Sequence, residues 1–251
     1  MRDIRRKSRS SACFTIVTGR RRVGKTQLIK RAMEDEPYLY VSRKAEKDLC
    51  RGFQEEIASV LGLPIVGDAE RFEALFKVVV EESKKRPVSL VIDEFQEFYR
   101  IDESVFSSMA DIWDGAQKEA KLNLIVCGSV NRLMNRIFKD ESEPLYGRNT
   151  GLLHVEPFKV SVLKEILVAH APDYANDDLL ALWTMTGGVA RYVEQLMDDG
   201  AFTREKMLSS VFRRDSPYLD EGVFSGHALE KYFQWKFKIV FHCQILYSAF
   251  L

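Results

Sequence analysis

Short apolar runs alternate with longer stretches in which apolar residues return every three or four positions, and this rhythm fills the first 158 residues. The runs are CFTIVT (13–18), YLYVS (38–42), VSLVIDEF (88–95), LNLIVCGS (122–129) and GLLHVEPF (151–158). The runs at 13–18, 88–95 and 122–129 barely alternate with polar residues, which predicts buried strands of a parallel sheet, and those at 38–42 and 151–158 read as shorter strands. Between them, helical spacing predicts helices over 25–36, 46–62, 70–86, 105–120 and 130–138. In the second of these, Leu49, Phe53, Ile57, Val60 and Leu61 mark the apolar side, and Gly62 and Pro64 close it. The third ends in Lys84, Lys85 and Arg86, where a helix dipole favours cations. Strands alternating with helices predict a doubly wound parallel α/β sheet. From Lys159 onward the pattern is helical throughout. The expected organisation is an α/β core over 1–158, a small helical appendage over 159–222 and an apolar tail over 223–251.

The chemistry sits at the ends of the runs. Directly after the first strand comes VTGRRRVGKTQLI (17–29), in which Gly19 is followed after four residues by Gly24, Lys25 and Thr26. This is the spacing of a P-loop between a strand and a helix. Glycines allow backbone angles that a Cβ forbids and let the chain approach an anion. Successive backbone N–H groups then face one concavity, and the helix that starts near Lys25 adds the positive end of its dipole. The loop from Gly19 through Arg20, Arg21, Arg22, Val23, Gly24, Lys25, Thr26 and Gln27 is therefore the expected nucleotide cradle. Lys25 is assigned to the β- and γ-phosphates and Thr26 to Mg²⁺.

A second feature supports the first. The run LVIDEF puts Asp93 and Glu94 at the C-terminal end of a buried strand, where open α/β sheets bind ligands. Asp93 is placed to hold Mg²⁺, which prefers one or two carboxylates with phosphate and water. Glu94 is placed to orient or deprotonate a water. At the tip of another strand, Ser129 or Asn131 suits a contact to the lytic water or the γ-phosphate, and Ser129 equally suits a helix N-cap. Arg148, in EPLYGRNT, is either a solvated loop arginine or a cation delivered to transition-state charge.

Composition narrows the function without choosing it. The formal net charge is zero, so overall charge gives no support for a nucleic-acid or membrane partner. Arg2, Arg5, Arg6, Lys7 and Arg9 form a local basic cluster, read here as a solvated terminus. Cys13, Cys50, Cys127 and Cys243 lie far apart without a CxxC pair, which suits reduced thiols and a cytoplasmic setting. The four histidines lack metal-ligand spacing. No signal peptide follows the basic start, and the longest apolar stretch, 239–251, is too short to span a bilayer.

Taken in order, GRRRVGKTQLI, VSLVIDEFQEF, LNLIVCGSV, PLYGRNTGLLHVEPF and TGGVARYV resemble the archaeal-type ATPases of the AAA+/STAND group of P-loop ATPases. The resemblance covers roughly residues 10–222. It implies an additional-strand, catalytic-glutamate sheet of order 5-1-4-3-2, with ATP and Mg²⁺ as ligands and a nucleotide-driven conformational switch as the activity. It implies a sensor role for Ser129, a finger or sensor role for Arg148, and a lid helix that begins within TGGVARYV, with Ala190 where the family often has proline. It also implies a homo-oligomer or an unidentified protein as partner. Two departures are expected to matter. The family's adenine-holding Gly-Arg-Glu box is absent ahead of Gly19. The stretch VFSGHALEKYFQWKF (223–237) resembles a much later part of the family, which reads as an internal deletion. The tail carries no acidic nuclease cluster, so no nuclease activity is expected, and its aromatic run is expected to limit solubility. Two competing functions stay open: a nucleotide-binding remnant without turnover, and a small-molecule kinase, which needs an acceptor pocket and a basic lid over the phosphates, with no clear candidate for that basic lid.

Overall fold

The computed structural model describes residues 11–64, 67–213 and 216. The chain divides into two compact units, Met1–Glu156 and Pro157–Leu251. The apolar tail and the basic N-terminal cluster lie outside the described residues.

The first unit is built on five strands: β1 (Cys13–Gly19), β2 (Tyr38–Tyr40), β3 (Val88–Asp93), β4 (Leu122–Cys127) and β5 (Gly151–Val155). All neighbours pair in parallel, in the order β2-β3-β4-β1-β5. Every residue of β3 and β4 is buried, which is why these strands read as continuous apolar runs. Side chains alternate between the two faces with a period of two. Phe14, Ile16, Leu90, Ile92, Leu124 and Val126 point to one face and join the large core. That face is covered by α2 (Glu46–Leu61), α3 (Phe72–Lys85), α5 (Ser104–Ala116) and α6 (Asn131–Lys139), whose buried residues belong to the same cluster. Val17, Val91, Ile125 and Cys127 point the other way, against Ile29 and Met33 at α1 (Lys25–Ala32). The large core is aromatic. Phe72 packs on Phe53, Phe76 and Phe98, and Phe95 packs on Phe98, Phe106 and Phe138.

Several boundaries differ from the sequence reading, each for a local reason. The helix expected over 25–36 ends at Ala32, ahead of Glu34, Asp35 and Glu36, three acids that a helix C-terminus disfavours. The strand expected over 88–95 stops at Asp93, because Glu94 turns into the left-handed region at φ 54°. A 3-10 turn (Phe95–Glu97) and a short α4 (Phe98–Ile101) follow, neither of which the pattern revealed. The strand expected over 151–158 stops at Val155, two residues before Pro157, which has no N–H to give a ladder. The helix expected over 105–120 ends at Ala116, and the strand expected over 122–129 ends at Cys127.

The second unit is helical: α7 (Val160–His170), α8 (Asn176–Thr186), α9 (Ala190–Asp198) and α10 (Arg204–Val211). Leu163, Leu167, Leu182, Val193, Leu196 and Met207 form its core. Asp178 is buried and ties two helix starts together, accepting from Ala175 N at 2.8 Å and from Arg204 N at 2.7 Å. The double glycine between α8 and α9 has a steric cause. Gly188 has φ +73°, and a Cβ there would press into the Phe158 carbonyl. Among the described residues, no helix is long and apolar enough to cross a membrane.

Cys13, Cys50 and Cys127 are free and buried, and burial pushes the Cys50 thiol up to about 12. Phe14, fully buried on β1, meets Trp113 at 5.3 Å and Phe138 at 5.7 Å between ring centroids. Phe14→Ala is expected to lower unfolding free energy by about 3–5 kcal/mol, read as a lower denaturant midpoint at unchanged slope. A loss under about 1 kcal/mol would contradict this placement of the ring.

Candidate nucleotide-binding site

The candidate residues Gly19, Lys25, Thr26, Asp93, Glu94 and Ser129 gather at the C-terminal edge of the sheet, because β1, β3 and β4 pair side by side and end at neighbouring levels. Val17 lies opposite Cys127, and Ile92 opposite Val126. The ladder thus delivers Gly19, Asp93 and Gly128 to one edge.

The loop after β1 owes its shape to three left-handed residues. Gly19 has φ +149°, and a Cβ there would press into the backbone carbonyl of Val155 on β5. Arg22 adopts φ 68° without being glycine, and Gly24, at φ 96°, opens α1. No side chain caps α1, so the first N–H groups of the helix stay available to an anion. Arg20 and Arg21 are exposed, Arg22 is half-buried, Val23 is buried, and Gln27 is exposed in the first turn. Lys25 is buried, and its ammonium donates to Gly19 O at 2.9 Å and Arg20 O at 3.1 Å. An ammonium has three donors, so one remains beyond these two bonds.

Thr26 and Asp93, 67 residues apart in sequence, are joined directly: Thr26 Oγ1 donates to Asp93 Oδ2 at 2.8 Å. Asp93 Oδ1 accepts from the backbone N–H of Glu94 at 2.9 Å. Two further side chains serve Asp93 that sequence reasoning missed. The Tyr38 hydroxyl donates to Oδ2, and the buried Cys127 thiol feels the charge of the same carboxylate. Burial, then the Asp93 carboxylate, pushes both groups well above their ordinary values, so each stays protonated and Tyr38 remains a donor. Pairing of Tyr38 with Val91 on the neighbouring strand explains its reach, and a tyrosine at the start of β2 was the available signal.

Glu94 is half-buried. Its Oε2 accepts from Ser129 Oγ at 2.8 Å and from Gln96 Nε2 at 2.5 Å. Ser129 therefore bonds the acid, and the helix that follows it has no side-chain cap. Gln96 is a second residue the sequence reading missed, hidden in DEFQ because the turn that places it was unseen. Arg148 is held elsewhere: it donates to Asp114 at 2.6–3.1 Å and to the carbonyls of Pro144 and Tyr146.

The oxygen donors of Thr26 and Asp93 suit a hard cation such as Mg²⁺. The uncapped helix start, the glycine-shaped loop and the spare Lys25 donor suit a polyphosphate. The residues present therefore fit both ligands.

Residues 2–196 match the family described as an ATPase domain predominantly from Archaea, and the chain belongs to that family. Among its relatives is the uncharacterized protein MJECL04 of Methanocaldococcus jannaschii, 30% identical over 183 residues, which are 73% of this chain and 39% of that protein. The chain thus spans about two fifths of that relative's length. Two solved structures share the fold. The Walker-type ATPase PABY2304 of Pyrococcus abyssi aligns with a TM-score of 0.59 at 20% identity, covering 98% of this chain and 75% of that one. The Aeropyrum pernix ORC2 protein in its ADPNP–ADP complexes aligns at 0.56 and 16% identity, covering 83% and 64%. At these identities the likeness is one of fold. Family and fold together make this a nucleotide-binding ATPase domain, and the five-stranded sheet has the expected order, 5-1-4-3-2 read from its other edge.

Gly19→Ala tests the loop. The Val155 carbonyl that a Cβ meets is backbone and yields only if β5 shifts. Affinity for a fluorescent ATP analogue is expected to fall at least about tenfold, with a lower melting temperature. Wild-type values for both would contradict the assigned geometry.

Proposed function

We propose that this chain binds ATP with Mg²⁺ in the loop Gly19–Gln27, hydrolyses it, and uses the cycle as a conformational switch. The observation that carries the reading is the convergence at one sheet edge. The Thr26–Asp93 bond joins the loop's helix to β3, and the Ser129–Glu94 bond joins the end of β4 to the adjacent acid.

In this reading Lys25 and the loop N–H groups bind the phosphates, and Thr26 and Asp93 hold Mg²⁺. Bound Mg²⁺ supplies neutralisation of phosphate charge. Glu94 orients a water and takes its proton. The water oxygen forms a bond to the γ-phosphorus as the bond to the β–γ bridging oxygen breaks, and ADP leaves with that electron pair. Ser129 stands beside Glu94 as the sensor of the γ-phosphate. The helical unit from Pro157 serves as the lid, and the setting is cytoplasmic.

Arg148 acts, in this reading, as a finger on the nucleotide of a neighbouring copy or protein partner. Reaching it means exchanging Asp114 for phosphate, an exchange between two anions.

Lys25→Ala is expected to abolish binding of a fluorescent ATP analogue, and unchanged affinity would remove the cradle assignment. Glu94→Gln is expected to keep binding and lose about 10²–10⁴-fold in hydrolysis; equal rates in both would favour a binding remnant without turnover. If Arg148 is a finger, hydrolysis per chain rises with protein concentration and Arg148→Ala removes that rise. A concentration-independent rate, with Arg148→Ala harmless, rejects the role.

A further inference from the structure

The surroundings of Glu94 carry a further step, which rests on the reading of Glu94 as the group that takes the water's proton. We propose that Gln96 is the positioning residue of Glu94, a polar side chain kept in the core to aim that carboxylate.

Three observations support it. Gln96 is fully buried, with 0% exposure, inside the short turn that follows β3. Its Oε1 has no hydrogen-bond partner among the described residues. Its Nε2 donates to Glu94 Oε2 at 2.5 Å, and no other bond of its side chain is seen among those residues. The amide orientation follows from chemistry, since an ionised carboxylate only accepts and must face the NH₂ end. A buried acceptor without a partner costs stability that an apolar residue of similar size would not. The bond to Glu94 is what the polar side chain gives in return.

The geometry shows what that bond does. Glu94 leaves the strand in a left-handed conformation, φ 54° and ψ 39°, so its side chain no longer follows the strand's alternation. Gln96 Nε2 and Ser129 Oγ both land on the same oxygen, Oε2. No described residue donates to Oε1, which is left as the acceptor for a proton. Gln96 is itself fixed, because Gly128 lies directly against it: a Cβ at Gly128 would meet Gln96 Oε1 and Met134 Sδ. The glycine after β4 thus makes room for the amide, and Ser129, next in the chain, completes the clamp. Two donors at fixed points set the carboxylate plane. When Ser129 turns to a phosphate, Gln96 remains as the anchor that keeps Glu94 aimed.

The test is Gln96→Met, which keeps the unbranched shape and removes the donor, with Gln96→Leu as a second variant if the first folds poorly. Three measurements are made on the full chain: melting temperature, steady-state ATP hydrolysis, and the variant's crystal structure. The expected result is a melting temperature equal to or above wild type, nearly unchanged KM, and a kcat lower by about 10- to 100-fold. The crystal structure is expected to show the Glu94 carboxylate turned away from Ser129. A kcat within about twofold of wild type, a fall in stability with kcat and KM changing together, or a Glu94 still bonded to Ser129 in its original orientation would each overturn the proposal. If the wild-type chain hydrolyses no ATP, the hydrolysis reading fails by itself. The crystal structures of wild type and variant then decide the Gln96 proposal separately.

Discussion

Parallel pairing of β1, β3 and β4 fixes where each strand stops, and every functional contact depends on that register. Because Ile92 faces Val126 and Val17 faces Cys127, the residues just past these pairs meet without any loop having to search for them. A slip of one residue would turn Asp93 to the opposite face of the sheet and separate it from Thr26. The register is held by burial on both faces. The large aromatic core grips one side, and Ile29 and Met33 grip the other. Site geometry and core packing are therefore one problem in this molecule, and a cavity under β1 is a disturbance of the loop that β1 carries.

The sequence made the strands legible because a doubly covered strand has little choice but to be apolar along its length. The loop was legible because anion binding by backbone restricts residue types at fixed spacing, and Gly19, Gly24, Lys25 and Thr26 met that restriction. Asp93 and Glu94 followed from their place at a strand end. Contacts set by neighbouring strands were not legible. Nothing in YLYVS says that Tyr38 reaches Asp93, since that needs the position of β2 beside β3. Gln96 was hidden for a related reason. The pattern reads as strand through Phe95 and gives no sign of the left-handed turn at Glu94 that carries Gln96 into the core. The pattern marked Arg148 as a polar loop residue but could not show its engagement by Asp114.

The site holds polar groups in places where apolar ones would be more stable. Asp93 is buried with Thr26 and Tyr38 as donors, and Gln96 is buried with one oxygen unpartnered among the described residues. Such arrangements rigidify a site when satisfied and cost stability when they are not. They lie beside the Phe95–Phe98–Phe106 cluster, whose packing supplies apolar burial within the same turn. Sites that trade stability for aim are expected where charge must be placed before a reaction.

The central claim is that this edge of the sheet turns over ATP. It is tested most directly by single-turnover hydrolysis, with the purified chain in excess over γ-labelled ATP and Mg²⁺. The account predicts release of labelled phosphate in a single phase that a chelator abolishes. Bound ATP recovered intact after prolonged incubation would contradict it.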